Sequence, residues 1–113
     1  MVPLAAGLVV LVRFPFSDLS QTKLRPAVVL ANAGRGDWIL CQVTSKPYAD
    51  PAAVALENAD FERGSLRVTS YARPGKLFTA SGDLVESVVG VLQPDSVRKV
   101  IAAVVTVLSG SDG

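Results

Sequence analysis

The segment "TKLRPAVVLAN", residues 22 to 32, places a cation directly before an apolar run. Arg25 is followed by Pro26 and then by five apolar residues, which predict a buried strand. A buried charge is costly unless it is paired, so Arg25 either lies at a solvated rim or meets an anion. Its planar guanidinium is suited to a carboxylate or a phosphate, which it binds with two hydrogen bonds. This arrangement indicates a candidate anion-binding site.

Charges are segregated along the chain, although their sum is small. The net charge is +1 over 113 residues, which is not typical of a strongly basic nucleic-acid-binding domain. Residues 63 to 76, "RGSLRVTSYARPGK", carry four cations and no acid, whereas residues 50 to 62 carry four acids and no cation. The distribution therefore predicts a local basic face.

The chain has no histidine and a single cysteine, Cys41. The lack of histidine removes the usual zinc ligands and the Ser-His and Cys-His nucleophile pairs, so we expect no metal and no cofactor. A lone cysteine forms no intramolecular disulfide, which is natural in a reducing, cytoplasmic compartment. Because Cys41 lies in the apolar run "DWILCQVT", we interpret it as a small core residue.

The length and hydrophobicity predict one domain, residues 1–113, without a membrane span. Half of the residues are hydrophobic, which is enough to build a core in a chain of this size. The N-terminal run "MVPLAAGLVVLVRF" is interrupted by Arg13 well before the roughly 20 apolar residues that a bilayer requires. We therefore expect this run to be a strand.

Short valine-rich runs between Gly, Pro, Asp and Ser predict β-strands. We expect strands near residues 8–14, 26–31, 38–44, 52–57, 66–70 and 88–92. The turn "NAGRGD", residues 32–37, is expected to join the second and third strands as a hairpin. "GDLVES", residues 82–87, is expected to form a helical turn.

The C-terminal segment "QPDSVRKVIAAVVTVLSG" predicts a helix. Pro94 suits its first turn and Gly110 the position after its end. Six apolar residues recur at spacings of three and four, as in a one-sided helix: Val97, Val100, Ile101, Val104, Val105 and Leu108. The expected fold is mainly β, a small and strongly bent antiparallel sheet or barrel with this helix packed against it.

Read in order, the segments "GLVVLVRFPFSDLSQTKLRPAVVLAN", "ILCQVTSK", "GSLRVTSYARPGKLFT" and "QPDSVRKV" resemble the MazF/PemK-like toxins of bacterial toxin-antitoxin pairs. The resemblance covers residues 7 to 109. It implies an SH3-like antiparallel barrel of the CcdB/MazF type, a homodimer, and an endoribonuclease (mRNA interferase) that cuts single-stranded RNA at short sequences without a metal. It also implies a cognate antitoxin whose acidic tail blocks the RNA groove. The matching catalytic positions are Arg25 in "RP" and Thr44 in "QVTS".

These two residues suit cleavage of RNA by its own 2′-hydroxyl. The reaction needs a proton acceptor, a proton donor to the leaving oxygen and a cation beside the phosphorane. Arg25 supplies the cation, and because a guanidinium is a very weak acid, proton donation is only its second role. Thr44 orients the 2′-hydroxyl or the phosphate. Leu24 and Thr69 occupy positions where some members of the family have a histidine or a carboxylate, so Asp18, the nearest loop carboxylate, is the candidate general base.

Five further residues are candidate RNA contacts: Lys23, Phe16, Ser45, Arg67 and Arg73. Cations bind phosphates and a loop aromatic stacks on bases. Each also has a structural explanation, since a cation is often part of a solvated face and an aromatic residue is often part of a core. Without the resemblance, the structural explanation is the better one for both catalytic candidates, Arg25 as a solvated rim charge and Thr44 as a β-branched strand residue.

The hairpin predicts that the two catalytic candidates face each other. If Ala31 pairs with Trp38, the residue numbers of every antiparallel pair sum to 69, and Arg25 lies opposite Thr44. Their Cα atoms would then be about 4.5 to 5.5 Å apart. A bulge in either strand would change this register.

A second class of function stays open at this point. A barrel of the same type can act as a binding module that poisons a protein target, as CcdB-like gyrase inhibitors do, or as an inactive relative that keeps only antitoxin binding. Arg25 and Thr44 discriminate between these hypotheses, because a gyrase inhibitor has no catalytic use for them.

The composition predicts an unusual pH profile for RNA cleavage. Because the chain lacks histidine and an arginine stays charged up to about pH 12, the rate should show no inflection between about pH 5.5 and 7.5. Initial cleavage rates across this range, measured at constant ionic strength, test the expectation. A steep bell centred near about pH 6.5 would contradict the residue assignment.

Overall fold

The computed structural model describes residues 3–15, 22–46 and 49–110, which form a curled antiparallel sheet and a C-terminal helix. The strands are β1 (Leu8–Pro15), β2 (Thr22–Gly34), β3 (Asp37–Thr44), β4 (Val54–Leu56), β5 (Phe61–Gly64), β6 (Ser70–Ser81) and β7 (Val85–Leu92). Short 3-10 turns cover Asn58–Asp60 and Gly82–Leu84, and helix α1 covers Pro94–Ser109. The strand order is β4-β6-β3-β2-β1-β7-β5. The half-barrel with its terminal helix confirms the predicted fold class.

The centre of the sheet buries side chains on both of its faces, as the continuous apolar runs of β1 and β2 require. Along β1, Val9 belongs to one core cluster and Val10 and Val12 to the other. The first cluster also includes Val28 from β2 and Val100 from α1. Both neighbouring strands therefore alternate between two apolar environments, and neither of their faces is purely solvent-exposed.

Helix α1 confirms the predicted C-terminal helix. Pro94 lies in its first turn, and Gly110 follows it in the left-handed conformation, with its N–H donated to the carbonyl groups of Thr106 and Val107. The expectation of a one-sided helix was wrong in part, because Ile101, Val105 and Leu108 are exposed in the monomer.

Strand β6 is the main correction to the predicted elements. The sequence predicted a strand at 66–70, but residues 65–69 form a loop and the strand extends from Ser70 to Ser81. Pro74 and Gly75 are residues that usually interrupt a strand, yet both lie within β6. Between the pairs Cys41 with Leu77 and Val43 with Ala72, β6 advances five residues while β3 advances two. This bulge accommodates a proline that cannot donate a ladder hydrogen bond.

Other boundaries also differ from the prediction. Strand β2 begins at Thr22 rather than 26, the 52–57 strand is shortened to Val54–Leu56, and the four residues of β5 were not predicted. The helical turn expected at 82–87 is a single 3-10 turn, Gly82–Leu84, followed directly by β7. Among the residues that the structure describes, no helix is long and apolar enough to cross a membrane.

Gly64 permits the close approach of β5 to β7. Its φ of 74° lies in the left-handed region, and a Cβ there would be 2.6 Å from the Cα of Gly90. We expect Gly64→Ala to lower the free energy of unfolding by about 2 to 4 kcal/mol, through the clash and the unfavourable φ. Denaturant unfolding measures this loss.

Gly75→Ala is the matched control for that substitution. Gly75 has no positive φ, and no atom lies within 4 Å of the position of an added Cβ. This variant should be neutral or more stable by up to about 1 kcal/mol, because alanine restricts the unfolded chain. Equal stability changes in the two variants would contradict this account of β5.

Candidate active site

The β2–β3 hairpin forms with the predicted register over its central part. Val28 pairs with Cys41 and Ala27 with Gln42, so these residue numbers sum to 69 as expected. Nearer the turn the register shifts, and Ala31 pairs with Ile39 rather than with Trp38. The predicted starting pair was therefore wrong, because a bulge lies between Val29 and Ala31.

Arg25 and Thr44 lie just beyond this paired region. Arg25 is two residues before Ala27, and Thr44 is two residues after Gln42. If the alternation of side chains continues past that last pair, Arg25 and Thr44 lie on the face that holds Ala27 and Gln42. Arg25 is also paired with Val12 of β1, and Thr44 with Tyr71 of β6. The ladder itself ends at Ala27 and Gln42, so the direct Cα pairing of Arg25 and Thr44 stays a prediction.

A groove joins the two residues at the ends of their strands. Its volume is about 330 Å³, and it is lined by Arg25, Pro26, Val43, Thr44, Ser45, Lys46, Leu66, Val68 and Ser70. The strand ends form one side and the 65–69 loop forms the other. The structure thus brings together three residues predicted for the site, namely Arg25, Thr44 and Ser45.

The groove is positively charged. Arg25 and Lys46 are cationic, and none of the described residues that line the groove is acidic. Both cations are exposed to solvent at its mouth. Two nearby cations favour an anionic ligand such as a phosphate group.

The Thr44 hydroxyl has a defined position. Its Oγ1 accepts a hydrogen bond from the backbone N–H of Lys46 at 3.1 Å, which closes a tight turn after β3. A hydroxyl that accepts one hydrogen bond still has its own proton to donate. Thr44 is therefore arranged to donate to an oxygen atom in the groove while its acceptor side is engaged.

Arg73 occupies a different environment from the one predicted for an RNA contact. Its Nε donates to Oδ2 of Asp50 at 3.1 Å, and both side chains are largely buried. It is not among the residues that line the groove. Arg73 instead links β6 to the segment before β4, so we do not retain it as an RNA contact.

The other predicted RNA contacts are distributed around the groove. Lys23 is exposed on β2, two residues before Arg25, and does not line the groove. Arg67 lines a second, larger cavity beside it. Phe16 and the candidate base Asp18 lie outside the described residues.

The sequence did not single out Lys46, Val68 and Ser70, which also line the groove. They come from the loop after β3, the 65–69 loop and the start of β6. Only the position of the "SK" dipeptide directly after the predicted third strand could have indicated Lys46.

Cys41 is confirmed as a core residue behind the site. It is fully buried, and its Sγ donates to the carbonyl oxygen of Arg73 at 3.2 Å. Burial raises the pKa of the Cys41 thiol to about 12. The thiol is thus neutral near neutral pH and is not a nucleophile for the groove. Among the described residues, no group of three His, Cys, Asp or Glu side chains is placed to hold a metal ion.

Comparison with protein families gives one match that covers most of the chain. The model for the PemK-like, MazF-like toxins of type II toxin-antitoxin systems matches residues 5–108. No curated protein matches the chain in sequence.

Solved structures share the fold at low sequence identity. A chain of the MazE-MazF complex (Form-II) from Deinococcus radiodurans has a TM-score of 0.76 and 23% identity, over 96% of this chain and 97% of that one. An endoribonuclease in complex with its cognate antitoxin, from Mycobacterial species, has a TM-score of 0.72 and 18% identity, over 96% of both chains. Toxin MazF-mt6 of Mycobacterium tuberculosis has a TM-score of 0.71 and 11% identity, over 90% of this chain and 96% of that one.

Proposed function

Since the chain belongs to the PemK-like, MazF-like toxins of type II toxin-antitoxin systems, we propose that it is a sequence-selective endoribonuclease. Its substrate is single-stranded RNA, and it acts without a metal ion in the cytoplasm. The observation that carries this proposal is the groove in which Arg25, Thr44 and Lys46 meet and whose described lining residues include no acid. The endoribonucleases among the structures with the same fold support the activity.

The proposed reaction is an internal transfer at phosphorus. The 2′-oxygen of the substrate forms a bond to phosphorus, and the bond from phosphorus to the 5′-oxygen of the next nucleotide breaks. The 2′-hydroxyl proton passes to a general base, and the leaving 5′-oxygen takes up a proton. The products are a 2′,3′-cyclic phosphate and a 5′-hydroxyl end, so no water or metal ion enters the balance.

Arg25 and Thr44 take different parts in this step. The phosphorane carries more negative charge than the starting phosphodiester, so the Arg25 guanidinium stabilises the transition state more than the ground state. Thr44 donates a hydrogen bond to a phosphate oxygen or to the 2′-oxygen, keeps its own proton, and fixes the attacking geometry. Lys46 adds a second positive charge at the groove.

Asp18 is the proposed general base. None of the described residues that line the groove is acidic, and the chain has no histidine. A proton acceptor must therefore come from the segment between β1 and β2, from the substrate, or from a water molecule. Asp18 lies in that segment and is the carboxylate nearest to Arg25 in the chain.

The proposed protein partner is a cognate antitoxin with an acidic segment. An acidic chain would compete with RNA for the same cationic groove, which is how a peptide can block a phosphate site. The MazE-MazF complex and the Mycobacterial complex are precedents for a toxin of this fold with an antitoxin bound.

The catalytic assignment predicts a large effect of Arg25→Ala. Loss of the guanidinium should reduce the cleavage rate by about 10² to 10³. Arg25→Lys keeps the charge but not the paired donors, so its cleavage rate should lie between those of the parent and of Arg25→Ala. Thr44→Val should reduce the rate by about tenfold. The assay uses a long single-stranded RNA in excess EDTA, with both new ends identified.

Arg98→Ala is the control for loss of one positive charge. Arg98 is exposed on α1, forms an ion pair with Asp95, and lines neither the groove nor its neighbouring cavity. Its removal should leave the rate within about twofold of the parent. Failure of the parent to cut RNA would overturn the proposal. Growth inhibition that persists in Arg25→Ala would instead support a protein target.

We also propose that the protein is a homodimer. The exposed residues Ile101, Val105 and Leu108 are spaced by four and three positions and form one apolar stripe on α1, with Leu108 72% exposed. A stripe of this kind is usually covered by another surface.

Sedimentation at micromolar concentration should give twice the mass of one chain. Val105→Lys should shift the protein towards the monomer, because it places a charge in the stripe. Thr106→Lys, at the adjacent exposed position, is the control and should stay dimeric. A parent that sediments as one chain would exclude the dimer.

A further inference from the structure

A second and larger cavity adjoins the proposed catalytic groove. Its volume is about 700 Å³, within the range of small-molecule sites. Val68 lines both cavities and is 61% exposed, so one apolar side chain forms the partition between them. A ligand that extends beyond the groove over Val68 therefore enters this second cavity.

The two cavities differ in charge. The catalytic groove has two cations and no acid among its described lining residues. The second cavity has Glu57 and Asp60 together with Arg67 and Lys99, so its formal charges balance. Asn58 and Thr69 add uncharged donors and acceptors. Such a lining suits a neutral polar ring with both donor and acceptor groups, rather than a second phosphate.

The floor of the second cavity is held rigidly. The two carboxylate oxygens of Asp60 accept hydrogen bonds from Ser96 Oγ at 2.7 Å and from the Glu57 backbone N–H at 2.8 Å. The backbone N–H of Gln93 donates to the carbonyl oxygen of Asp60 at 2.8 Å. Asp60 is therefore fixed to the start of α1. The Glu57 side chain caps the same turn by accepting from the Asp60 backbone N–H, and because a carboxylate has further acceptor sites, this exposed group can also accept from a ligand.

The opposite wall is a strained loop. Arg67 has a φ of 71°, which is unfavourable for any residue with a Cβ. Its backbone N–H donates to Ser65 Oγ at 2.7 Å, and that hydroxyl donates to Asn58 Oδ1 at 3.3 Å. These bonds hold the loop against the floor and direct Arg67 to the cavity. Backbone strain of this kind clusters at functional sites.

We propose that the second cavity binds the nucleobase next to the cleaved phosphate and sets the sequence preference at that position. This inference rests on the proposed function, since it takes the ligand of the groove to be RNA. Glu57 accepts an N–H of the base, Arg67 donates to a carbonyl oxygen or ring nitrogen, and Val68 packs against the ring. The charged groove then holds the phosphate, while the neutral cavity reads the base.

Binding to a random pool of single-stranded 2′-O-methyl RNA tests this assignment. The pool lacks the attacking 2′-hydroxyl, so base preference is measured without cleavage. The parent protein should enrich one base at one position by about tenfold, the discrimination expected of a well-paired base edge. Sequencing the bound fraction gives the preference at every position.

Three variants separate base reading from general charge. Arg67→Ala should remove the preference at that one position, and Glu57→Gln should change it, because an amide offers a donor where the carboxylate only accepts. Arg25→Ala should weaken binding at all sequences without changing the preference. Arg98→Ala is the surface-charge control and should change neither.

The outcomes distinguish this inference from the proposed function. A parent that shows the position-specific preference but cuts no RNA would overturn the enzyme and retain the base site. Uniform weakening by Arg67→Ala and Glu57→Gln, with the preference unchanged, would overturn the base site and retain the enzyme. Absence of binding to the pool would overturn the base site, whereas the cleavage assay in EDTA alone decides the enzyme.

A stability measurement tests why Arg67 tolerates its backbone strain. Arg67→Gly removes the side chain and relieves the unfavourable φ, so the melting temperature should be unchanged or higher while the base preference is lost. A lower melting temperature for Arg67→Gly than for the parent would show that the Arg67 side chain has a structural role, contrary to the inference.

Discussion

The alignment of β2 with β3 is the constraint on which the rest of the structure depends. Both faces of this strand pair are buried, with Val29 and Leu40 in one core cluster and Val28 and Cys41 in the other. A slip of one residue would move every one of these side chains to the opposite face. Because neither face tolerates such an exchange, the register is fixed, and the ends of the two strands are fixed with it. The groove lies at those ends.

The bulge in β6 makes the second half of the site. It lets β6 follow β3 past Pro74 and then pair Tyr71 with Thr44, which places Ser70 and the preceding loop beside the catalytic candidates. The same region holds Arg73, whose side chain is bound to Asp50. The ion pair removes one cation from the surface and fixes the segment before β4. Fold and site therefore share the same irregular strand.

The sequence predicted the parts of this protein that depend on local periodicity. Short valine-rich runs between turn residues indicated the strands, and Pro94 and Gly110 marked the ends of α1. The predicted hairpin register holds at Val28 with Cys41 and at Ala27 with Gln42. It fails at Ala31, because the bulge near the turn leaves no signal in the pattern of apolar and polar residues. Likewise, the strand predicted at 66–70 was wrong, because β6 passes through Pro74 at a bulge that the sequence does not reveal.

Prediction of the site also succeeded where a local sequence pattern was enough and failed where it was not. Arg25 and Thr44 lie on adjacent strands, so counting along a hairpin was enough to bring them together. Lys46 and Val68 come from loops whose positions depend on the bulge and on the contacts of Asp60 with α1, which no local pattern encodes. The cluster of cations at 63–76 also misled, because Arg73 is paired and Arg67 lines a cavity of balanced charge. Two of the four cations in this segment therefore lie in environments that a count of charges along the sequence does not predict.

The charge distribution has a consequence for how such a protein would select RNA. Affinity from phosphate contacts grows with the number of cations that meet the backbone, and it is largely independent of sequence. A chain of net charge +1 with two cations in its groove gains little from that source. Weak general attraction is an advantage for a selective enzyme, because contacts to bases then form a larger share of the binding free energy. Selectivity in this fold would therefore arise from what surrounds the groove, where the Glu57 carboxylate and the strained Arg67 loop supply directional contacts that a cationic groove lacks.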